Sequence, residues 1–160
     1  MERKVLMRER QAKAIIYLLC LCVASINGTA QTTQRRLLLV CSMESTTPSL
    51  SHKEVRKLFL GAPVLKNNVR LRPLRNASDP LLTEVFLQKI IFMSKRNYER
   101  QLVSRVFRLG GERPPVYTNI PELIDELRQS PQALTYMWAD QLALADNVKS
   151  IGVLWEGTVE

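Results

Sequence analysis

The chain has 160 residues, 46% of them hydrophobic, with three cysteines and a formal net charge of +8. That length supports one compact domain with its own packed core, and so few cysteines exclude a disulfide-held scaffold. No internal repeat or low-complexity segment interrupts it.

The chain opens with a basic stretch, Arg3, Lys4, Arg8, Arg10 and Lys13. It then runs uncharged and mostly apolar from Ala14 to Ile26 and ends in the small residues Gly28 and Ala30. That is the pattern of a secretory signal with cleavage after Ala30, and Met7 is an alternative start. The apolar run falls short of the roughly 20 residues a membrane-spanning helix needs, which favours a cleaved signal over an uncleaved anchor. Neither Cys20 nor Cys22 has the preceding triplet that lipid attachment requires, and both are expected to leave with the signal. The expected organisation is a signal peptide over 1–30 and a domain over 31–160 that works in the periplasm.

Taking five basic and two acidic residues from the 23 and 15 of the whole chain leaves 18 against 13, about +5. That charge is dispersed and reads as solvated surface, compatible with an anionic ligand or a membrane surface. An exported protein is not expected to bind nucleic acid. Cys41 is the one cysteine left in the domain, so no internal disulfide forms.

The apolar run 37–41 predicts a buried strand, and the Ser-, Thr- and Pro-containing stretch 43–51 a loop. Ser51 and Glu54 form a capping box for a helix that buries Val55, Leu58 and Phe59 and stops at Gly61. The alternation over 69–74 predicts a half-exposed strand, which Pro73 pushes toward a sheet edge. Asp79 and Pro80 read as N-cap and first helical residue, with Leu82, Val85, Phe86 and Ile90 on one face. A further helix starts at Ser94, buries Tyr98, Leu102, Val106 and Phe107, and ends at Gly110 and Gly111. A short strand at Val116 and Tyr117 follows, then a helix with Asn119 and Glu122 as a second capping box and Leu123, Ile124 and Leu127 inside, broken at Ser130 and Pro131. Residues 134–138 predict a strand, 140–146 one or two helical turns and 148–154 a final strand. Strands alternating with helices indicate an α/β sheet with helices on its faces.

Catalytic chemistry finds little support. His52 is the only histidine and sits in the first turn of a helix, where it reads as exposed. That leaves no basis for a histidine metal cluster or a His-based triad. Glu122, Asp125 and Glu126 share a helix and read as solvated surface. No Walker loop or G-x-G-x-x-G occurs, so no cofactor is expected and no enzyme is read.

The more telling pattern is polar residues just beyond strand ends, where open α/β sheets bind ligands. Ser42, Ser45, Thr46, Thr47 and Ser49 follow the first strand, and Arg75, Asn76, Ser78 and Asp79 follow the second. Hydroxyls, free backbone N–H groups and one guanidinium can replace the hydration shell of a tetrahedral oxyanion, and Asp79 can accept the proton of a protonated one. The plainer reading is that these residues cap helices and that Arg75 pairs with Asp79.

The stretches 49–61, 72–75, 78–86 and 93–98, Phe107 with Gly110, and 131–136 resemble, in order and spacing, the substrate-binding proteins of phosphate-type ABC transporters. The resemblance spans about residues 37–155, and Glu54 to Gly61 is its best motif. It implies a fold like that of type II periplasmic binding proteins, here a single lobe, and maps the family's anion-gripping arginine and serine onto Arg75 and Ser78. The family's glycines are missing at Asn76-Ala77-Ser78-Asp79-Pro80 and at Gln132-Ala133-Leu134-Thr135-Tyr136. The expected function is an exported phosphate- or oxyanion-binding protein, with Arg75, Ser78, Asp79, Ser45, Thr46 and Thr47 as ligand residues. The competing expectation is a ligand-free adaptor that docks on a membrane permease, sensor or transporter.

Overall fold

The computed structural model describes residues 33–110 and 112–159. The signal expected over 1–30 and the helix stop expected at Gly111 lie outside them. The elements in chain order are β1 (Thr33–Ser42), α1 (His52–Phe59), β2 (Leu65–Lys66), β3 (Val69–Arg70), β4 (Arg72–Pro73), β5 (Arg75–Asn76), α2 (Pro80–Phe86), α3 (Lys95–Leu109), β6 (Val116–Tyr117), α4 (Ile120–Gln129), β7 (Ala133–Trp138), α5 (Ala139–Ala143) and β8 (Val148–Val159). A π-helical turn, Leu87–Ile91, continues α2.

The main sheet has the order β4-β7-β1-β8. β1 is antiparallel to both neighbours, with Leu37 opposite Trp138 on one side and Trp155 on the other. β4 joins β7 in parallel, and β5 joins β6 in parallel. The single strand expected over 69–74 is divided: Val69 and Arg70 form a hairpin with β2, and only Arg72 and Pro73 pair with β7. Arg72 N and Leu74 N both donate to the β7 side, to Gln132 O and Leu134 O. Pro73, between them, turns its missing N–H away from β7, so no bond of that ladder is lost.

β7 is buried at all six residues because both faces of the sheet are covered. Its Leu134, Tyr136 and Trp138 join Leu37, Leu39 and Cys41 of β1 in one core, closed by α1, α2, the π turn and α3. Ala133 and Met137 join Leu38 and Val40 in the other, closed by Leu123 and Leu127 of α4. Each such leucine taken fully out of water contributes about 1.5–3 kcal/mol. At the centre of the first core Phe86 stacks on Tyr136 at 3.7 Å, with Phe59 edge-on to both.

Local signals place the helices. Ser51 N donates to Glu54 Oε2 at 3.0 Å, the reciprocal half of the expected capping box. The Lys66 ammonium on Glu54, with the Ser51 bonds, holds that carboxyl down at about 2. Gly61, at φ +81°, ends α1: its N–H reaches Leu58 O and that of Ala62 reaches Lys57 O, a full Schellman closure. Ser94 caps α3, and Asp79 caps α2 with Pro80 at the first position, as expected. Asn119 precedes α4 without a side-chain cap, contrary to the second capping box. Pro121 supplies no N–H at the second helical position, removing one of the two donors a cap can use. The buried stripe of α3 ends at Leu102: Val106 is half-buried and Phe107 is exposed. Arg105 fastens that end of the helix instead, donating from Nε to Gly61 O at 2.9 Å.

Two substitutions test these closures by urea denaturation. Tyr98 donates its hydroxyl to the buried Phe59 carbonyl at 2.7 Å. Tyr98→Phe leaves that carbonyl unpaired and is expected to cost about 1–3 kcal/mol. Gly61→Ala puts a Cβ at 3.2 Å from Arg105 Cδ at a left-handed φ, for an expected loss of about 1 kcal/mol or more. An unchanged midpoint in either variant would contradict the packing described.

Candidate functional site

The two loops expected to share a ligand lie at opposite ends of the sheet. β7 is antiparallel to β1 and parallel to β4, so the end of β5 falls beside the start of β1. Asp79 shows this directly: its Oδ2 accepts from Trp138 Nε1 at 2.8 Å and lies 3.8 Å from Arg35 Nη1. Ser45 follows the far end of β1, where Met43 N donates to Asn147 O. The intervening Arg35 to Ser42 stretch spans on the order of 20 Å at about 3.3 Å per residue.

At that far end, Ser45 is buried and donates its hydroxyl to Thr47 Oγ1 at 2.9 Å, while Thr47 N donates back to Ser45 Oγ at 3.3 Å. Thr46 is exposed. The hydroxyls of Ser45 and Thr47 thus hold their own turn. Beside them burial pushes the Cys41 thiol up, opposed by the neighbouring Ser45 hydroxyl and the charge of Lys149.

The other end carries Arg75, Ser78 and Asp79. Ser78 donates from both its N–H and its hydroxyl to Asn76 Oδ1, at 3.0 and 2.7 Å, so the Asn76 side chain organises the turn. Asn76 is itself fully buried and anchored by Nδ2 on Tyr136 O at 3.1 Å. Asp79 Oδ1 caps Leu81 N at 2.8 Å, and with Oδ2 held by Trp138 both oxygens have partners.

Arg75 is 9% exposed. Its Nε donates to Pro114 O at 3.0 Å and its Nη1 to Glu99 Oε1 at 2.5 Å. The partner is therefore Glu99 of α3, and Asp79 pairs with Arg35 instead. The guanidinium also lies 5.8 Å from the Tyr98 ring centre. Its Nη2 makes no hydrogen bond to another described residue.

Arg75 borders a cavity of about 560 Å³. Tyr98, Tyr136, Leu87, Met93 and Val116 contribute apolar wall, and Lys95, Glu84 and Glu99 add charge. Burial pushes both phenols well above their ordinary range, with the Arg75 charge opposing it in each case. Both are neutral at physiological pH, which leaves Glu99 as the anion paired with Arg75.

Sequence reasoning missed Glu99. A signal was present, because it is the one acidic residue of α3 among Lys95, Arg96, Arg100, Arg105 and Arg108. Glu126 was also misread as solvated surface: Arg72 and Ser130 donate to it, and the Arg72 bond holds its carboxyl below the usual range. His52 is exposed as expected, and its Nε2 donates to Leu154 O at 2.8 Å, tying α1 to β8. Among the described residues no group of His, Cys, Asp and Glu could hold a metal ion, and no helix is long and apolar enough to cross a membrane.

No family model matches the chain, and no curated protein matches it in sequence. Solved structures do. An ABC-type phosphate transport receptor from Vibrio cholerae is similar over 75% of this chain and 46% of its own, at 11% identity and a TM-score of 0.55. PstS from Borrelia burgdorferi is similar over 74% and 47%, at 11% identity and 0.53. A possible phosphate binding protein from Planctomyces limnophilus is similar over 76% and 42%, at 15% identity and 0.50. The chain thus spans about half the length of these structures, and at such identities the likeness is one of fold. The fold is α/β, a mixed sheet with helices on its faces, as in a periplasmic-binding-protein-like lobe.

Proposed function

We propose that the protein is a single-lobe, solute-binding-like protein, exported to the periplasm, that takes a small oxyanion such as phosphate at Arg75. The observation that carries this reading is Arg75, a residue nine-tenths buried in the short parallel strand β5 and beside a cavity. Poorly hydrated, it gains more from a charge-assisted hydrogen bond than an exposed arginine does. Its Nη2 makes no hydrogen bond to another described residue, and the lining carries Lys95 as a second cation against the carboxylates of Glu84 and Glu99. Glu99 occupies Nη1 as an anion would, and its side chain is 38% exposed with Arg113 3.7 Å away as a second partner. It can turn toward Arg113 when a ligand enters. The basic and apolar pattern of residues 1–30 supports export, and the phosphate-binding proteins of similar fold support the ligand class.

A ligand-free docking module on a membrane permease or sensor is the second reading, favoured by the internal bonds that occupy Ser78, Asp79 and two nitrogens of Arg75. It expects no oxyanion binding, and a reproducible cross-link to one membrane protein that Arg75→Ala leaves intact.

Calorimetry with a panel of inorganic and organic oxyanions separates the two. Saturable heat is expected, weakened about 10-fold or more in Arg75→Ala, the equivalent of a charge-assisted hydrogen bond of about 1.5–3 kcal/mol. Glu99→Gln removes the competing charge and is expected to tighten binding several-fold. The absence of heat from every oxyanion with the wild-type chain would sink the oxyanion reading.

A further inference from the structure

We infer, resting on the oxyanion reading of Arg75, that the ligand is an amphipathic organic oxyanion, an alkyl or aryl phosphate or phosphonate. Its anionic head would sit on Arg75 and its apolar body along the cavity wall. The cavity of about 560 Å³ falls within the range of about 300–1,000 Å³ typical of small-molecule sites. A bare tetrahedral oxyanion has five heavy atoms and leaves most of that space to water.

The lining says what should fill the rest. Met93 and Val116 offer aliphatic surface, edges of the nearly buried Leu87, Tyr98 and Tyr136 back it, and Glu84 adds a second carboxylate to the lining. Met93 adds an adaptable side chain that can follow the outline of an alkyl or aryl group. An uncharged apolar ligand would cover these walls and leave Arg75 Nη2 unpaired in a drying cavity, which is costly. An inorganic anion would pair Nη2 and leave the walls wet. A molecule with one anionic head and an apolar body satisfies both, because its body removes water from the walls and so strengthens the head's bond to the guanidinium.

The opposing charges fit one head of this kind. Glu99 is the acid hydrogen-bonded to Arg75, and its turn toward Arg113 opens Nη1 beside Nη2 for two oxygens of one head group. Carboxylates can bridge a guanidinium similarly, so they serve as a comparison.

The test is calorimetry on the full chain with inorganic phosphate, phenylphosphonate, benzoate and benzyl alcohol. Phenylphosphonate is expected to bind at least 10-fold tighter than inorganic phosphate, benzoate more weakly than phenylphosphonate, and benzyl alcohol without detectable heat. Val116 is half-exposed, so Val116→Ser should leave the thermal midpoint nearly unchanged. It is expected to weaken phenylphosphonate several-fold while inorganic phosphate is unaffected, whereas Arg75→Ala weakens both. Equal affinity for inorganic phosphate and phenylphosphonate, or equal losses for the two in Val116→Ser, would overturn the amphipathic ligand and leave the oxyanion reading standing. No binding of any anion would overturn both.

Discussion

The structure depends on two adjacent strands, β1 and β7, whose side chains are claimed by cores on both faces of the sheet. Slipping either strand by one residue would exchange its two faces, yet both faces of β1 are apolar, so hydrophobicity alone would tolerate the slip. Side-chain size and one polar group forbid it. The first core needs Tyr136 and Trp138 beside Phe59 and Phe86. The second, thinner core accepts Ala133 and Met137 under α4. Thr135, fully buried between them, must donate its hydroxyl to Leu74 O at 2.9 Å. A slipped strand would bury that hydroxyl without a partner and drive an indole into the space of a methionine.

Local chemistry made most elements legible and left the site only partly so. Ser51 with Glu54, Asp79 with Pro80, Ser94 and Gly61 act within one helical turn, and each does in the fold what its type and spacing imply. The direction of β1 carries no such local mark, because Leu37 to Cys41 reads the same in either orientation. Its antiparallel placement between β7 and β8 separates the Ser45 turn from Arg75. The Arg75 to Glu99 pair was hidden for the same reason: 24 residues apart, its members meet only once α3 packs on the sheet. Where α3 passes beyond that packing, Phe107 lies exposed despite its place on the expected stripe.

Keeping an arginine buried at Arg75 has physical consequences. A guanidinium cannot shed its charge, so its desolvation must be offset by hydrogen bonds and an opposite charge. Pro114 O serves Nε from within the buried side of the loop, and Glu99 serves Nη1 from the more exposed side. The two partners differ in kind. A backbone carbonyl is fixed by the chain, whereas a carboxylate on a helix surface has rotamers to leave by, and Arg113 offers it another cation. The pair thus joins a buried cation to a carboxylate that reaches solvent.

The turn after β5 is ordered by Asn76, whose side-chain carbonyl takes both Ser78 donors. Asp79 is likewise committed to α2 and Trp138. Backbone and hydroxyl donors at this turn thus hold its own structure, and Arg75 is the cation beside them. At the proposed site one guanidinium in a largely apolar cavity would discriminate by the body of the ligand as much as by its charge, because water must leave the walls before the charge is felt at full strength. At the proposed site the walls at Leu87, Met93 and Val116 would therefore carry a share of recognition beside Arg75.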